Sequence, residues 1–383
     1  MFPNIKHLSD LVPHIQDNPQ IRVKVEPNGF TVVCYMLQDE DTFSGANAEF
    51  AAECRGITFD TNGKIAARTL HKFFNVGQED STRPEVIRWQ DVVRIMDKRD
   101  GSMITPVLVN GGVKCKTKKS FDTKEAALAD EILHQIETID GAKDQFKLEW
   151  TRNLLRFGYT PTFEITSPKL PIVLLYDKDE LTLLHVRENV TGRYLDEDEV
   201  KALEPPFPIV ENVMRQFMRP GVPANLVSWD LLKTAAETAE GVEGWVIQFR
   251  NGDMVKLKTA WYCALHHSVT FTRWRDIARS VVADQSDDLK AAFAMTGRSI
   301  EPILFVERAI KNKIALDRGT AEVHALIGTL GKTAKDMALM HKGHPLFGQI
   351  MRLFRGQEVN WMEFYEKNHL DTDWSLEVVG EEA

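Results

Sequence analysis

The chain has 383 residues, 47 Lys plus Arg against 56 Asp plus Glu for a net charge of −9, with 43% hydrophobic and 27% charged residues. These proportions describe a globular chain of two or three domains and exclude a disordered, collagen-like or polytopic membrane protein. No apolar run reaches the roughly 18 residues a transmembrane helix needs, and the start, Met1 to His7, lacks the apolar stretch of a signal peptide. The four widely spaced cysteines (Cys34, Cys54, Cys115, Cys263) predict reduced thiols in a cytosolic compartment, with neither a disulfide framework nor a zinc pattern.

In chain order, strands are predicted at Phe30–Met36, Gly56–Phe59, Val92–Met96 and Ile104–Val109. An amphipathic helix follows at Thr123–Thr138. Strands at Ile172–Tyr176 and Leu181–Val186 are expected to form a hairpin through Asp177–Glu180. Trp245–Phe249 and Met254–Lys258 flank Asn251-Gly252, a strong hairpin signal. Beyond about Leu265 the pattern turns helical: Asp276–Ala283, Asp288–Met295, Glu301–Asp317, Thr320–Thr329 and Leu346–Phe354. The expected architecture is α+β: residues 1–264 with antiparallel sheets and flanking helices, then an all-α domain at 265–383.

Charge is unevenly spread. An acidic total argues against general nucleic-acid binding, which needs Lys and Arg to neutralise phosphates. Yet Leu265–Lys367 holds 15 basic and 12 acidic residues, while 368–383 carries five acids and no Lys or Arg. Lys114, Lys116, Lys118 and Lys119 form a basic strip, which reads equally as a solvated face.

Lys98-Arg99-Asp100-Gly101 follows one predicted strand and precedes another. K-x-D-G is the motif of enzymes that attach a nucleotide to lysine. The amine must be neutral to attack an α-phosphate, and burial or nearby cations favour that form. A tight Asp-Gly turn would hold it for in-line displacement. The plain alternative is a hairpin turn. Glu164, within predicted strand, suits a ribose hydroxyl or a solvated face. Glu243, before a strand, suits a divalent ion or a surface charge. Lys256 and Lys258 share a strand face and suit a triphosphate between them, or an edge strand guarded by lysines.

Together with Glu53-Cys54-Arg55-Gly56-Ile57, Lys72-Phe73-Phe74-Asn75, Leu183–Asn189, Thr191-Gly192, Ser286–Lys290 and Leu346-Phe347-Gly348, these motifs follow an order that resembles the ATP-dependent RNA ligase 1 family, the tRNA-repair ligases of T-even-type bacteriophages. The resemblance spans nearly the whole chain. It implies a nucleotidyltransferase (adenylyltransferase) domain followed by a helical RNA-specificity domain. It implies Lys98 as the adenylylated lysine, with Asp100 and Gly101 shaping its turn. Tyr35, Arg55, Lys72 and Lys119 would contact the nucleotide or its phosphates. Glu164 would bind ribose, Glu243 would support magnesium- or manganese-dependent steps, and Lys256 and Lys258 would hold the triphosphate. Asp287 resembles a metal-associated position, though a helix N-cap is the preferred reading. ATP, RNA with 5′-phosphate and 3′-hydroxyl ends such as nicked tRNA, a monomer and a phage-infected cytosol are implied in the same way.

One departure is Leu170-Pro171 where the family carries Asn-Arg; Lys169 is a candidate substitute. The other readings are a capping guanylyltransferase, a DNA ligase or an inactive RNA-binding protein. His341 and His344 form H-x-x-H without a third ligand nearby in sequence and are read as surface histidines. Trp361, Phe364 and Tyr365 read as a helix core stripe. Arg352 and Arg355 read as a solvated face.

Overall fold

The computed structural model describes residues 2–36, 42–135, 137–139, 142–218, 226–264, 274–295 and 299–368. The chain divides into two compact units, Met1–Val269 with Ala291–Gly297, and Thr270–Lys290 with Arg298–Ala383. The expected boundary at 264/265 abuts residues outside the described ones, as does the acidic tail after Asn368. The architecture is the α+β one expected, with antiparallel sheets in the first unit and helices in the second.

Three four-stranded sheets build the first unit. β1 (Ile21–Val25), β2 (Thr31–Tyr35), β3 (Arg55–Phe59) and β4 (Ile65–Ala67) lie in sequence order. Their core is Val33, Ile57 and Phe59 against Leu11 and Ile15 of the helix Leu8–Ile15. The second sheet runs in the order β5 (Phe74–Asn75), β14 (Met254–Lys258), β13 (Gly244–Phe249), β6 (Val92–Asp97). The third runs β12 (Glu180–Glu188), β11 (Tyr159–Thr166), β7 (Ser102–Val109), β8 (Gly112–Lys116). The helices Lys124–Leu133 and Phe146–Arg156 bury Leu128, Leu133, Leu154 and Leu155 against the third sheet. A short antiparallel pair, β9 (Glu137–Ile139) and β10 (Ala142–Asp144), completes the strands described.

Several expectations are corrected. The K-x-D-G motif is no hairpin turn, because β6 and β7 belong to different sheets and Lys98–Gly101 carries the chain between them. Ile172–Tyr176 is not a strand. Its Val173 and Leu174 amides donate to Asp100 Oδ2 at 2.9 and 2.6 Å, so they are spent on a carboxylate rather than a ladder. β12 pairs with β11 instead. The Thr123 hydroxyl accepts from the Ala126 N–H and caps the helix, which ends at Leu133 rather than at the expected Thr138. The Asn-Gly hairpin forms as expected between β13 and β14.

In the second unit, the two helices expected on either side of Gly319 are one, Glu301–Gly328. A helical glycine costs about 1 kcal/mol against alanine. The flanking i,i+4 pairs Lys313–Asp317 and Arg318–Glu322 offset part of that cost. The Tyr365 hydroxyl also donates to Asp317. Tyr365 is buried, and Trp361 and Phe364 pack on a core of Ala321, Met337, Leu346 and Ile350, as a core stripe should. Arg352 and Arg355 are exposed. His341 is buried, not superficial.

Candidate active site

The carboxylate of Glu243 stands just before β13. Its Oε1 lies 2.9 Å from Lys98 Nζ and 2.9 Å from Lys258 Nζ. Lys258 and Glu243 side chains are 2% and 3% exposed, whereas Lys98 is 22% exposed, so Lys98 is the member of the trio a ligand can reach. Glu243 Oε2 is buried without a hydrogen-bond partner, an arrangement that costs free energy unless a ligand or ion completes it. A surface charge, the plain alternative for Glu243, is thereby ruled out. So is a guarded edge for Lys256 and Lys258: β14 lies between β5 and β13, and both lysines are buried.

Backbone geometry fixes the trio. The Lys98 N–H donates to the Gly244 carbonyl at 2.9 Å, while Trp245 pairs with Asp97. Gly244 has φ +145°, and a Cβ there would lie 2.0 Å from the Leu257 carbonyl oxygen. Lys258 is its ladder partner. Glycine is therefore required for the strand carrying Glu243 to approach the one carrying Lys258.

Asp100 does not face the pocket as a free acid. Tyr262 Oη donates to its Oδ1 at 2.7 Å, the Val173 and Leu174 amides occupy Oδ2, and its own N–H donates to Tyr176 Oη at 3.0 Å. It is a clamp that sets the turn after Lys98. Gly101 makes that turn possible: a Cβ would meet the Ile165 carbonyl oxygen at 2.2 Å and Glu164 Cγ at 3.1 Å. Glu164 on β11 is thus brought to the crossover. It is buried rather than solvated, and burial raises its carboxyl to about 7. Lys98 and Arg55 pull that value down, while Glu243 and Asp100 push it up.

A second group gathers around Tyr35 at the end of β2. Lys118 Nζ sits 3.6 Å from the centre of its ring, and Lys72 Nζ 5.9 Å. Lys72 also lies over Phe74 and Phe43. Burial pushes the Lys118 ammonium well below the usual lysine range, and Lys119, Arg55 and Lys72 push the same way against Cys34. Arg55 donates to the His71 carbonyl at 3.2 Å and covers Phe73. Gly56, with φ +102°, lets β3 approach Lys118 O, which a Cβ would meet at 2.5 Å. The basic strip is accordingly not one solvated face: Lys114 is exposed, but Lys116 is fully buried.

Two residues before Arg55, Glu53 centres a buried ion network. Glu53 binds Arg187 through both oxygens, at 2.7 and 2.8 Å, and Arg68 at 2.9 and 3.0 Å. Both arginines are fully buried. Although burial alone would raise it, the two guanidinium groups hold the Glu53 carboxyl down at about 2. Beside them, burial and the Arg187 charge lower His71 to about 3.

The structure thus brings Lys98, Asp100, Gly101, Glu164, Glu243 and Lys258 together, with Arg55 in electrostatic reach of Glu164, and groups Tyr35 and Lys72 nearby through Arg55 and Lys118. Lys256 shares the buried β14 face with Lys258. Asp287 belongs to the other unit, buried in the first turn of the helix Ser286–Met295 rather than at its N-cap. Lys169 pairs with Asp179 at 2.6 Å and is largely exposed. Sequence reading favoured Lys119 over Lys118 and missed Tyr262 and Tyr176, whose partners are distant in sequence. Lys114 and Lys116 share one face of β8, so the burial of Lys116 breaks the strand's alternation and strand period gave no clue to Lys118.

Comparison with known proteins places the chain in a family. The family model described as "RNA ligase" matches residues 53–262, more than half of the chain. A protein of Thermovibrio ammonificans named "Putative RNA ligase" is 31% identical over 270 residues, 69% of this chain and 65% of that one. "RNA ligase 1" of Bacteriophage TS2126 is 24% identical over 249 residues, 62% of this chain and 57% of its own. The chain therefore spans less than two thirds of the length of either relative. Among solved structures, one described as "Putative ATP-dependent DNA ligase from Aquifex aeolicus" superposes with a TM-score of 0.46 at 12% identity, over 98% of this chain and 88% of that one. The chain belongs to the RNA ligase family.

Proposed function

We propose that the chain is an ATP-dependent RNA ligase that works through a lysyl-AMP intermediate on Lys98. The observation that carries this reading is the partly exposed Lys98 amine held 2.9 Å from a buried carboxylate whose second oxygen is unpartnered. Lys98 Nζ attacks the ATP α-phosphorus, an N–P bond forms, the α–β bridging P–O bond breaks and pyrophosphate leaves. Glu243 Oε1, 2.9 Å from Lys98 Nζ, is placed to take the proton that Lys98 must lose. An oxygen of an RNA 5′-phosphate then displaces Lys98, forming a 5′–5′ pyrophosphate. An RNA 3′-hydroxyl finally attacks the 5′-phosphorus and AMP departs.

Tyr35, Arg55, Lys72, Lys118 and Lys119 are assigned to the nucleotide and its phosphates, Glu164 to the ribose, and Lys256 and Lys258 to the triphosphate. Magnesium, or manganese in its place, fits Glu243: the ion binds through one or two carboxylates and substrate phosphates rather than a protein cage. Among the described residues no such cage of three or more His, Cys, Asp or Glu exists. The ion would supply charge neutralisation at the phosphates. Residues 1–264 are assigned to adenylyl transfer and 265–383 to choosing the RNA. A nicked tRNA is the proposed natural substrate, and a cytosolic monomer the proposed working state. No helix among the described residues is long and apolar enough to cross a membrane.

The test is adduct formation with ATP labelled at the α-phosphate. Label that is acid-labile and base-stable on the wild type, and absent from Lys98→Ala, is expected. Label from GTP instead would point to capping. No adduct from either nucleotide, on folded protein stripped of bound AMP, overturns the covalent mechanism. Sealing of a nicked anticodon stem-loop in preference to nicked duplex DNA then tests the acceptor.

A further inference from the structure

We propose that His324, His341 and His344 form a site for a divalent transition-metal ion of zinc type within the helical unit. In sequence His341 and His344 lack a third partner. The fold supplies one. The ring centres of His324 and His341 are 4.8 Å apart, those of His324 and His344 5.3 Å, and those of His341 and His344 6.2 Å. Zinc–nitrogen bonds of about 2.0–2.1 Å in tetrahedral array put three imidazole centres about 5 Å from one another. The two separations from His324 match that spacing, and the third, between His341 and His344, is wider.

Local structure explains the convergence. His324 lies on the helix Glu301–Gly328 with Ala321, Ala325 and Gly328 on the same face, at i−3, i+1 and i+4. These are small and buried, and at Gly328 a Cβ would lie 2.5 Å from Met337 Sδ. The long helix therefore packs closely on the helix Ala334–Met340, whose C-terminal end carries His341. The His344 N–H donates to the His341 carbonyl at 2.9 Å, which turns the chain back so that both rings come to His324.

His341 gives a second, independent sign. It is buried, and its Nε2 has no hydrogen-bond partner. An orphaned imidazole nitrogen in the interior carries a desolvation cost that a ligand would remove. Three nitrogen donors suit zinc, cobalt or nickel and do not suit magnesium or calcium, which demand oxygen.

Among the described residues no three such side chains already surround one point. Closure therefore requires the imidazoles to rotate, with His344 releasing the Leu346 amide that its Nδ1 now accepts at 3.0 Å. The ion would tie the long helix to the turn after the next one.

Cobalt titration of the full chain, stripped by chelator and free of nucleotide, tests this. The wild type is expected to show the intense visible bands of tetrahedral cobalt at one ion per chain, displaced by zinc, and to gain thermal stability with zinc. His324→Gln and His344→Ala, both at half-buried positions, are expected to stay folded by circular dichroism and to bind cobalt at least about 100-fold more weakly. His341→Gln should behave alike if it folds; if it does not, the other two variants decide. Glu243→Gln, altering the nucleotide pocket, should keep the bands. Absence of tetrahedral bands in the wild type, their persistence in both His324→Gln and His344→Ala, or their loss in Glu243→Gln overturns the site.

Discussion

At Glu164 the fold reverses the usual preference of a carboxyl group. Burial raises its pKa from 4.5 to about 7, so between those values the unfolded chain releases a proton that the folded chain retains. The group's contribution to stability is therefore full below pH 4.5 and is lost as pH rises through 7. Unliganded Glu164→Gln is expected to lose this dependence: its melting temperature at pH 8 should gain on the wild type relative to pH 5. An identical pH slope in the two proteins would show that Glu164 is already ionised. Lys118 is a second residue whose neighbours decide its behaviour. Its ammonium lies over Tyr35 in a cluster of four cations, an arrangement that an anion would relieve. Lys118→Met should raise KM for ATP in adduct formation by roughly tenfold, about 1.4 kcal/mol, and more than Lys119→Met does. The reverse order would return the role to Lys119.

Elements fix what single residues cannot. The approach of β7 to β11 leaves no room for a side chain at Gly101, where the obstacle is the Ile165 backbone. Gly101→Ala is expected to cost ~3 kcal/mol, read as a lower midpoint of urea unfolding, and to reduce adduct formation beyond the loss of folded protein. An unchanged midpoint would mean the crossover yields. The same crossover shows what was legible in the sequence. Strands with clear alternation, such as Val92–Asp97 and Met254–Lys258, were placed within a residue. The order of motifs anticipated the grouping of Lys98, Glu164 and Glu243. The segment 172–176 was misread because it is apolar enough for a strand, while its amides are taken by Asp100, over 70 residues upstream. Tyr262 escaped for the same reason, its partner being 162 residues away. Local patterns carry periodicity; they do not carry who satisfies whose hydrogen bonds.

Over the whole molecule, acid sensitivity should follow the buried ion network. Glu53 is depressed to about 2 and His71 to about 3. The Glu53 contribution is present above pH 4.5 and lost as pH falls toward 2. That of His71 is present above its unfolded value of 6.5 and lost as pH falls toward 3. Together they predict a steep loss of stability between about pH 6 and 3, on the order of several kcal/mol. Denaturant titrations across that range measure it, and Glu53→Gln, which leaves two buried guanidinium groups short of their carboxylate, should be unstable even at pH 7. A flat profile would mean the network opens to water without cost.

The passage of the chain from β6 to β7 has a mechanical side. Two separate sheets meet there, and the four residues from Lys98 to Gly101 are the bridge. Glu243 anchors one bank and Glu164 the other. Any small molecule gripped by Lys98 and Glu164 together would lie across this joint as a keystone lies across an arch, loading both sides at once. The joint would then give way less readily after the lysine had been charged than before, and a charged molecule would be told from an empty one by its stiffness alone.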